Sequence, residues 1–107
     1  MEREQQVRQL LEDIRLVMME LALWQKLPPE PQAFQSVEPF SIDTMEAQEW
    51  LQWVFLPRMH ALLDAGAGLP TRFSITPYFE EALKEQEQIS RLLALLRALD
   101  ELLNQET

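Results

Sequence analysis

One apolar segment of this chain holds two of its three tryptophans together with a helix-breaking proline, and it reads Asp43-Thr44-Met45-Glu46-Ala47-Gln48-Glu49-Trp50-Leu51-Gln52-Trp53-Val54-Phe55-Leu56-Pro57-Arg58-Met59. Its apolar residues fall on more than one side of a helical wheel, which is typical of a central helix with neighbours around it. Pro57 lacks the amide that would bond the Trp53 carbonyl, so we predict a kink there.

The ends of this central helix are also marked in the sequence. Asp43 or Thr44 supplies a typical N-cap, and Glu46 stands three residues after Asp43 in a capping-box arrangement. We therefore expect the helix to begin near Met45 and to end near Ala65.

A long amphipathic helix and a proline-rich connection precede the segment. The helix is predicted from Glu2 to about Lys26, because its apolar residues recur at i, i+3 and i+4. The connection, residues 27–43, contains four prolines, too many for a helix or an interior strand. Its recurring apolar residues predict an extended strap that packs across the bundle. They are Phe34, Val37, Phe40 and Ile42.

Two turn signals follow the central helix. Gly66 predicts a helix C-cap. Thr76 followed by Pro77 predicts the N-cap and the first residue of a short third helix, which should end near Leu83.

The C-terminal part of the chain predicts a fourth helix. Residues 84–88 carry no apolar side chain and predict a bend, after which helical spacing runs from Ile89 to about Asn104. We therefore predict an all-α fold in a single domain, residues 1–107: a small bundle of four helices, two long, one short and one C-terminal, with the strap between helices 1 and 2.

The charge of the chain restricts its partners. Eighteen acidic and nine basic residues give a net charge of −9, and the basic residues are scattered singly. Nucleic-acid binding depends on clustered Lys and Arg, so we expect no direct contact with RNA or DNA. An acidic surface is attracted to basic proteins and repelled by anionic lipid.

The chain has no cysteine, which excludes disulfides and thiolate chemistry. Its N-terminus has no signal-peptide pattern, and its apolar runs are far below the ~20 residues that cross a bilayer. We therefore expect a cytoplasmic protein with no membrane contact.

No residue cluster has the spacing of a catalytic or metal site. His60 is the only histidine, and Pro57 stands where a carboxylate di-iron bundle would need glutamate. His60 and Asp64, at i and i+4, are interpreted as a helix-surface pair. We predict no catalytic residue, no cofactor and no metal.

Two other patterns have structural interpretations. Gly66 and Gly68 suggest a phosphate loop, but no strand precedes them and no lysine follows them, so a turn is predicted. The adjacent pairs Glu80-Glu81 and Asp100-Glu101 diverge around their helices and are predicted to be solvated.

A family resemblance is carried by the runs Glu38-Pro39-Phe40-Ser41-Ile42-Asp43-Thr44-Met45-Glu46, Glu49-Trp50-Leu51-Gln52-Trp53-Val54 and Pro57-Arg58-Met59-His60. These runs, with Leu69-Pro70 and Pro77-Tyr78, resemble the signature of the bacterial YqcC family. The resemblance covers nearly the whole chain and implies a small cytoplasmic helical bundle with no established activity or catalytic residues.

Members of that family are often encoded beside a tRNA pseudouridine synthase, and some carry its name. Pseudouridine synthases resemble one another in a larger mixed α/β domain with a catalytic aspartate and a basic RNA cleft. This short acidic chain has no such pattern. The resemblance therefore implies a partner of the basic synthase rather than the enzyme.

We accordingly predict a non-enzymatic interaction protein, an accessory or regulatory partner of a tRNA pseudouridine synthase. Aromatic and charged residues are concentrated around the capped, kinked helix, as at protein interfaces. The predicted recognition surface comprises Phe40, Asp43, Glu46, Glu49, Trp50, Trp53, Arg58 and His60.

Two alternatives remain open. In the first, the kink at Pro57 opens a pocket for a small molecule or peptide, lined by Asp43, Glu49, Arg58 and His60. In the second, the C-terminal helix forms a homodimer, because its leucines occupy more than one face. These leucines are Leu92, Leu93, Leu95, Leu96, Leu99, Leu102 and Leu103.

Overall fold

The computed structural model describes residues 3–70 and 74–104 of the chain. Within these ranges it contains four helices and no β-strand, which confirms the all-α prediction. Helix α1 is Arg3–Glu20; α2 runs continuously through Ala47–Trp50, the π-helical turn Leu51–Phe55 and Leu56–Asp64; α3 is Thr76–Ala82; and α4 is Ile89–Leu103. Two short 3-10 helices, Pro31–Gln35 and Pro39–Ser41, lie between α1 and α2.

The core lies where α1, α2, α3 and α4 meet. Helix α1 packs mainly against α4, and also against the last turns of α2. It buries a single apolar stripe made of Val7, Leu11, Ile14 and Met18. Each large apolar side chain removed from water in this way contributes about 1.5–3 kcal/mol to folding.

The leucines of α4 are buried by the chain itself. Six of the seven named above lie in the core, and Leu95 is half-buried. They need no second copy for their burial, so the observation that suggested a homodimer is accounted for by the monomer fold.

Helix α1 ends earlier than the predicted Lys26, and its predicted start at Glu2 lies outside the described residues. Ala22 adopts a φ of 61°, and the Leu23 N–H donates to the Met18 carbonyl at 2.8 Å. This is a Schellman motif with alanine in the left-handed position. No glycine marks this end in the sequence. The apolar pattern therefore predicted a helix that was too long at its C-terminus.

The N-terminus of α2 differs from the prediction. The helix begins at Ala47, and its N-cap residue is Glu46 rather than Asp43 or Thr44. The Glu46 N–H donates to Glu49 Oε1 at 2.9 Å, so the capping box lies three residues after the predicted one. Asp43 instead accepts a hydrogen bond from the Ser36 hydroxyl within the strap.

Helix α2 changes its hydrogen-bond pattern one turn before Pro57. The Leu56 N–H donates to the Leu51 carbonyl, five residues back. Phe55 and Leu56 keep right-handed helical dihedrals, so the change in hydrogen bonding lies before Pro57, and the kink at Pro57 stays a prediction. Such turns are frequent at functional sites. The helix ends as predicted, with Gly66 in the left-handed position of a second Schellman motif.

The strap is less extended and less buried than predicted. Only Phe40 of its four apolar residues packs on the bundle as a half-buried ring; Phe34, Val37 and Ile42 are exposed. The hydroxyl of Thr44, the residue that follows the strap, donates to the Ala33 carbonyl at 2.7 Å. This bond links the end of the strap to its middle.

The N-terminus of α3 is held by a buried carboxylate from α4. Asp100 accepts bonds from the Ile75 N–H at 3.0 Å, the Thr76 N–H at 3.0 Å and the Thr76 hydroxyl at 2.6 Å. Asp100 is 8% exposed, so the prediction of a solvated Asp100-Glu101 pair was wrong for this residue. Asp100 also caps the helix where Thr76 was expected to do so.

Among the residues that the structure describes, three exposed ion pairs connect the helices. Arg8 of α1 bonds Asp64 of α2 at 3.0 Å, Arg97 bonds Glu80 at 3.3 Å, and Arg91 contacts Glu20. Asp64 therefore pairs with α1 rather than with His60. Exposed pairs of this kind contribute about 0–1 kcal/mol each.

Candidate functional site

A cluster of aromatic rings joins the strap to α2 and α3. Phe40 stacks on Tyr78 with ring centroids 4.2 Å apart and meets Trp50 edge-on at 4.8 Å. Phe55 and Phe79 lie beneath these rings and are buried, whereas the first three rings are half-buried. The backbone of Phe40 is left-handed, with a φ of 58°.

A groove of about 460 Å³ lies between the strap and α2, and we call it the strap groove. Its lining includes the half-buried Phe40, Trp50 and Trp53 and the exposed Phe34 and Val37. The complete lining is Phe34, Ser36, Val37, Glu38, Pro39, Phe40, Ser41, Trp50, Trp53, Val54 and Arg58. Four of the eight predicted surface residues, Phe40, Trp50, Trp53 and Arg58, therefore meet here.

A second groove, of about 390 Å³, lies on the other side of Trp53, and we call it the Pro57 groove. It is lined by Arg15, Trp24, Gln25, Lys26, Gln52, Trp53, Leu56, Pro57 and His60. His60 is thus separated from Arg58. The pocket predicted at Pro57 has a counterpart here, but of its four predicted lining residues only His60 contributes.

None of the three predicted acidic residues lines either groove. Asp43 bonds within the strap, and Glu49 holds the capping box of α2. Glu46 lines a third groove, of about 720 Å³, between the start of α2 and residues 81–86. These carboxylates organise the chain locally and do not converge on one point.

A network of amide side chains holds the wall between the two grooves. The Gln52 side chain accepts from the Gln25 N–H at 2.8 Å and donates to the Gln25 carbonyl at 2.7 Å. The Trp53 indole N–H donates to Gln25 Oε1 at 3.1 Å, and Gln25 Nε2 donates to Glu49 Oε2 at 3.3 Å. Sequence reasoning missed both glutamines. The available signal was Gln52 itself, a polar residue between Leu51 and Trp53 in an apolar segment.

Two electrostatic features adjoin the grooves. A hydrogen bond from Arg15 lowers the pKa of the Glu12 carboxyl and raises the pKa of the Arg15 guanidinium. Burial raises the pKa of the Tyr78 phenol, because the phenolate would lose hydration in the aromatic cluster.

Among residues 3–70 and 74–104, no group of histidine and acidic side chains has the arrangement of a metal site. None of the described helices combines the length and apolar composition that crossing a bilayer requires.

Comparison with known proteins then places the chain in a family. Residues 6–102 match the DUF446 family, whose description reads tRNA pseudouridine synthase C. The chain belongs to this family. A Haemophilus influenzae protein described as uncharacterized is 56% identical over 92% of this chain and 93% of its own length. Uncharacterized protein YqcC of Escherichia coli is 44% identical over 90% of this chain and 89% of its own length.

The solution NMR structure of the E. coli YqcC protein has the same fold, with a TM-score of 0.87 and 41% identity over all of this chain and 92% of that one. The resemblance to the YqcC family is thereby confirmed. A Pectobacterium carotovorum protein named tRNA pseudouridine synthase C is 63% identical over 70 residues, which are 65% of this chain but only 19% of that protein. The Haemophilus and Escherichia relatives, which are similar to this chain over most of their own length, carry names that state no function.

Proposed function

We propose that this chain is a non-enzymatic interaction protein that binds a tRNA pseudouridine synthase through the strap groove. The observation that carries the proposal is the exposed apolar edge of that groove. Val37 is 96% exposed beside the half-buried rings of Phe40 and Trp50. Exposed apolar residues close to aromatic side chains are typical of protein docking sites.

The Pectobacterium relative supports the choice of partner. The segment similar to this chain occupies 19% of a longer protein that bears the synthase name. A domain carried on the same polypeptide as an enzyme is held beside it at high effective concentration. A member of the family that is a separate chain would reach the same position beside the enzyme by binding to the enzyme.

The same comparison argues against transferring the enzyme's activity to this chain. Most of the named relative lies outside the similarity. The strap groove offers the hydroxyls of Ser36 and Ser41 but no histidine to activate them, since His60 lines the other groove.

The net charge of −9 indicates the chemistry of the docking element. The strap carries the exposed carboxylates of Glu30, Glu38 and Asp43 around its apolar residues. A complementary element would have a bulky apolar residue flanked by Lys or Arg, and such complementarity raises the association rate.

Calorimetry with the purified tRNA pseudouridine synthase C of the same bacterium tests the proposal. We expect binding that weakens between about 50 and about 300 mM NaCl, because salt screens exposed charges. Val37→Asp should weaken it about tenfold or more, by placing a charge at an apolar contact. Leu27→Asp is the matched control: Leu27 is 80% exposed on the same strap but lies outside the groove.

No binding of the synthase would refute the named partner. Binding that Val37→Asp and Leu27→Asp affect equally would refute the groove as the docking surface.

A further inference from the structure

The Pro57 groove differs in chemistry from the strap groove. It is bounded by the indoles of Trp24 and Trp53 and by the apolar side chains of Leu56 and Pro57. Its volume of about 390 Å³ is within the range of small-molecule sites, roughly 300–1,000 Å³. We propose that the Pro57 groove binds a small carboxylate with a flat apolar body, such as an aryl or indolyl carboxylate.

The positive charge at this groove is the reason for proposing a carboxylate. Two of the chain's nine Lys and Arg residues, Arg15 and Lys26, line it, and no Asp or Glu among the described residues does. Glu12 offsets the charge of Arg15, because the two form an ion pair. Lys26 is exposed and, among the described residues, makes no ion pair. Its ammonium is therefore available to an anion, while the protein as a whole is strongly acidic.

The shape of the apolar part favours a flat body. The two tryptophans present large rings, and flat aromatic groups pack well against indoles. Trp53 is held in place by its hydrogen bond to Gln25 at 3.1 Å, and Gln25 is in turn held by Gln52. A wall already fixed in position loses little conformational freedom when a small molecule binds.

The site is independent of the proposed protein partner. Trp53 lines both grooves, but Trp24, Lys26 and His60 line only the Pro57 groove. A failure of synthase binding would leave this proposal standing, and the reverse also holds.

Titration of the full chain with indole-3-acetate, followed by the NMR signals of the three indole N–H groups, tests the proposal. We expect saturable shifts of the Trp24 and Trp53 signals with a dissociation constant of about 1 mM or tighter, as the ligand's size implies. The uncharged indole-3-acetamide should bind more weakly. Lys26→Gln should weaken indole-3-acetate about two- to fivefold and leave indole-3-acetamide unchanged.

Lys84→Gln is the control, because Lys84 is also exposed, pairs with Glu81 and lies outside the Pro57 groove. It should leave the affinity for indole-3-acetate unchanged. The proposal is overturned by equal affinity for the acetate and the acetamide, by an unaltered affinity in Lys26→Gln, or by shifts confined to Trp50. Absence of a saturable shift up to about 20 mM would overturn it as well.

Discussion

The side-chain amide of Gln52 binds both main-chain groups of Gln25, accepting from its N–H at 2.8 Å and donating to its carbonyl at 2.7 Å. The Gln52 side chain thereby pairs with a main-chain N–H and C=O, as a neighbouring β-strand would. This pairing fixes the chain between the end of α1 and the strap. Gln52 lies in the π-helical turn Leu51–Phe55 and is buried.

Replacing Gln52 by leucine should destabilise the protein by about 1–3 kcal/mol, because two main-chain groups of Gln25 lose their partners. Urea denaturation measures the free energy of unfolding. Gln5→Leu, an exposed position on α1, is the control and should change it by less than about 0.5 kcal/mol. An equally stable Gln52→Leu would show that the paired amides do not hold this junction.

Ala22→Gly should stabilise the protein by about 0.5–1 kcal/mol. Ala22 has a φ of 61°, which strains its Cβ and which glycine adopts freely. Ala94→Gly, an exposed position inside α4, should have the opposite effect of similar size. Thermal unfolding of both variants checks the sign, and a destabilised Ala22→Gly would contradict the assigned end of α1.

Asp100→Asn should destabilise the protein by about 1–3 kcal/mol, since its carboxylate accepts three bonds at the start of α3. Its exposed neighbour provides the control: Glu101→Gln should be within about 0.5 kcal/mol of the parent. Equal effects of the two substitutions on the free energy of unfolding would exclude the capping role of Asp100.

Tyr78 is the only tyrosine, so its ionisation can be followed directly by ultraviolet absorbance. Burial raises the pKa of its phenol, so phenolate should form at higher pH in the native protein than in urea. The folded state favours the neutral phenol. This contribution to stability is therefore present below the unfolded pKa and is lost as the pH rises through the folded pKa.

Phe40→Ala should return the Tyr78 titration toward the unfolded curve, because Phe40 stacks on this ring. Identical curves for native and unfolded protein would show that the cluster does not cover Tyr78.

The sequence predicted the helices because their apolar periodicity is set by burial. It missed features that depend on single residues brought together by folding. Ala22 ends α1 without a glycine signal, and Asp100 caps a helix 24 residues away. The Pro57 groove was missed in part for the same reason: Trp24 and Lys26 are distant in sequence from His60, and bonds such as the Gln25–Gln52 pairing bring the two segments to one wall.

Photo-crosslinking in living cells tests the central claim most directly, with p-benzoylphenylalanine placed at position 37 or at position 27 as the matched control. Both positions are strongly exposed on the strap, but only Val37 lines the strap groove. We predict a crosslink to the tRNA pseudouridine synthase from position 37 and none from position 27. A synthase crosslink from position 27 alone, or from neither position, would contradict the account.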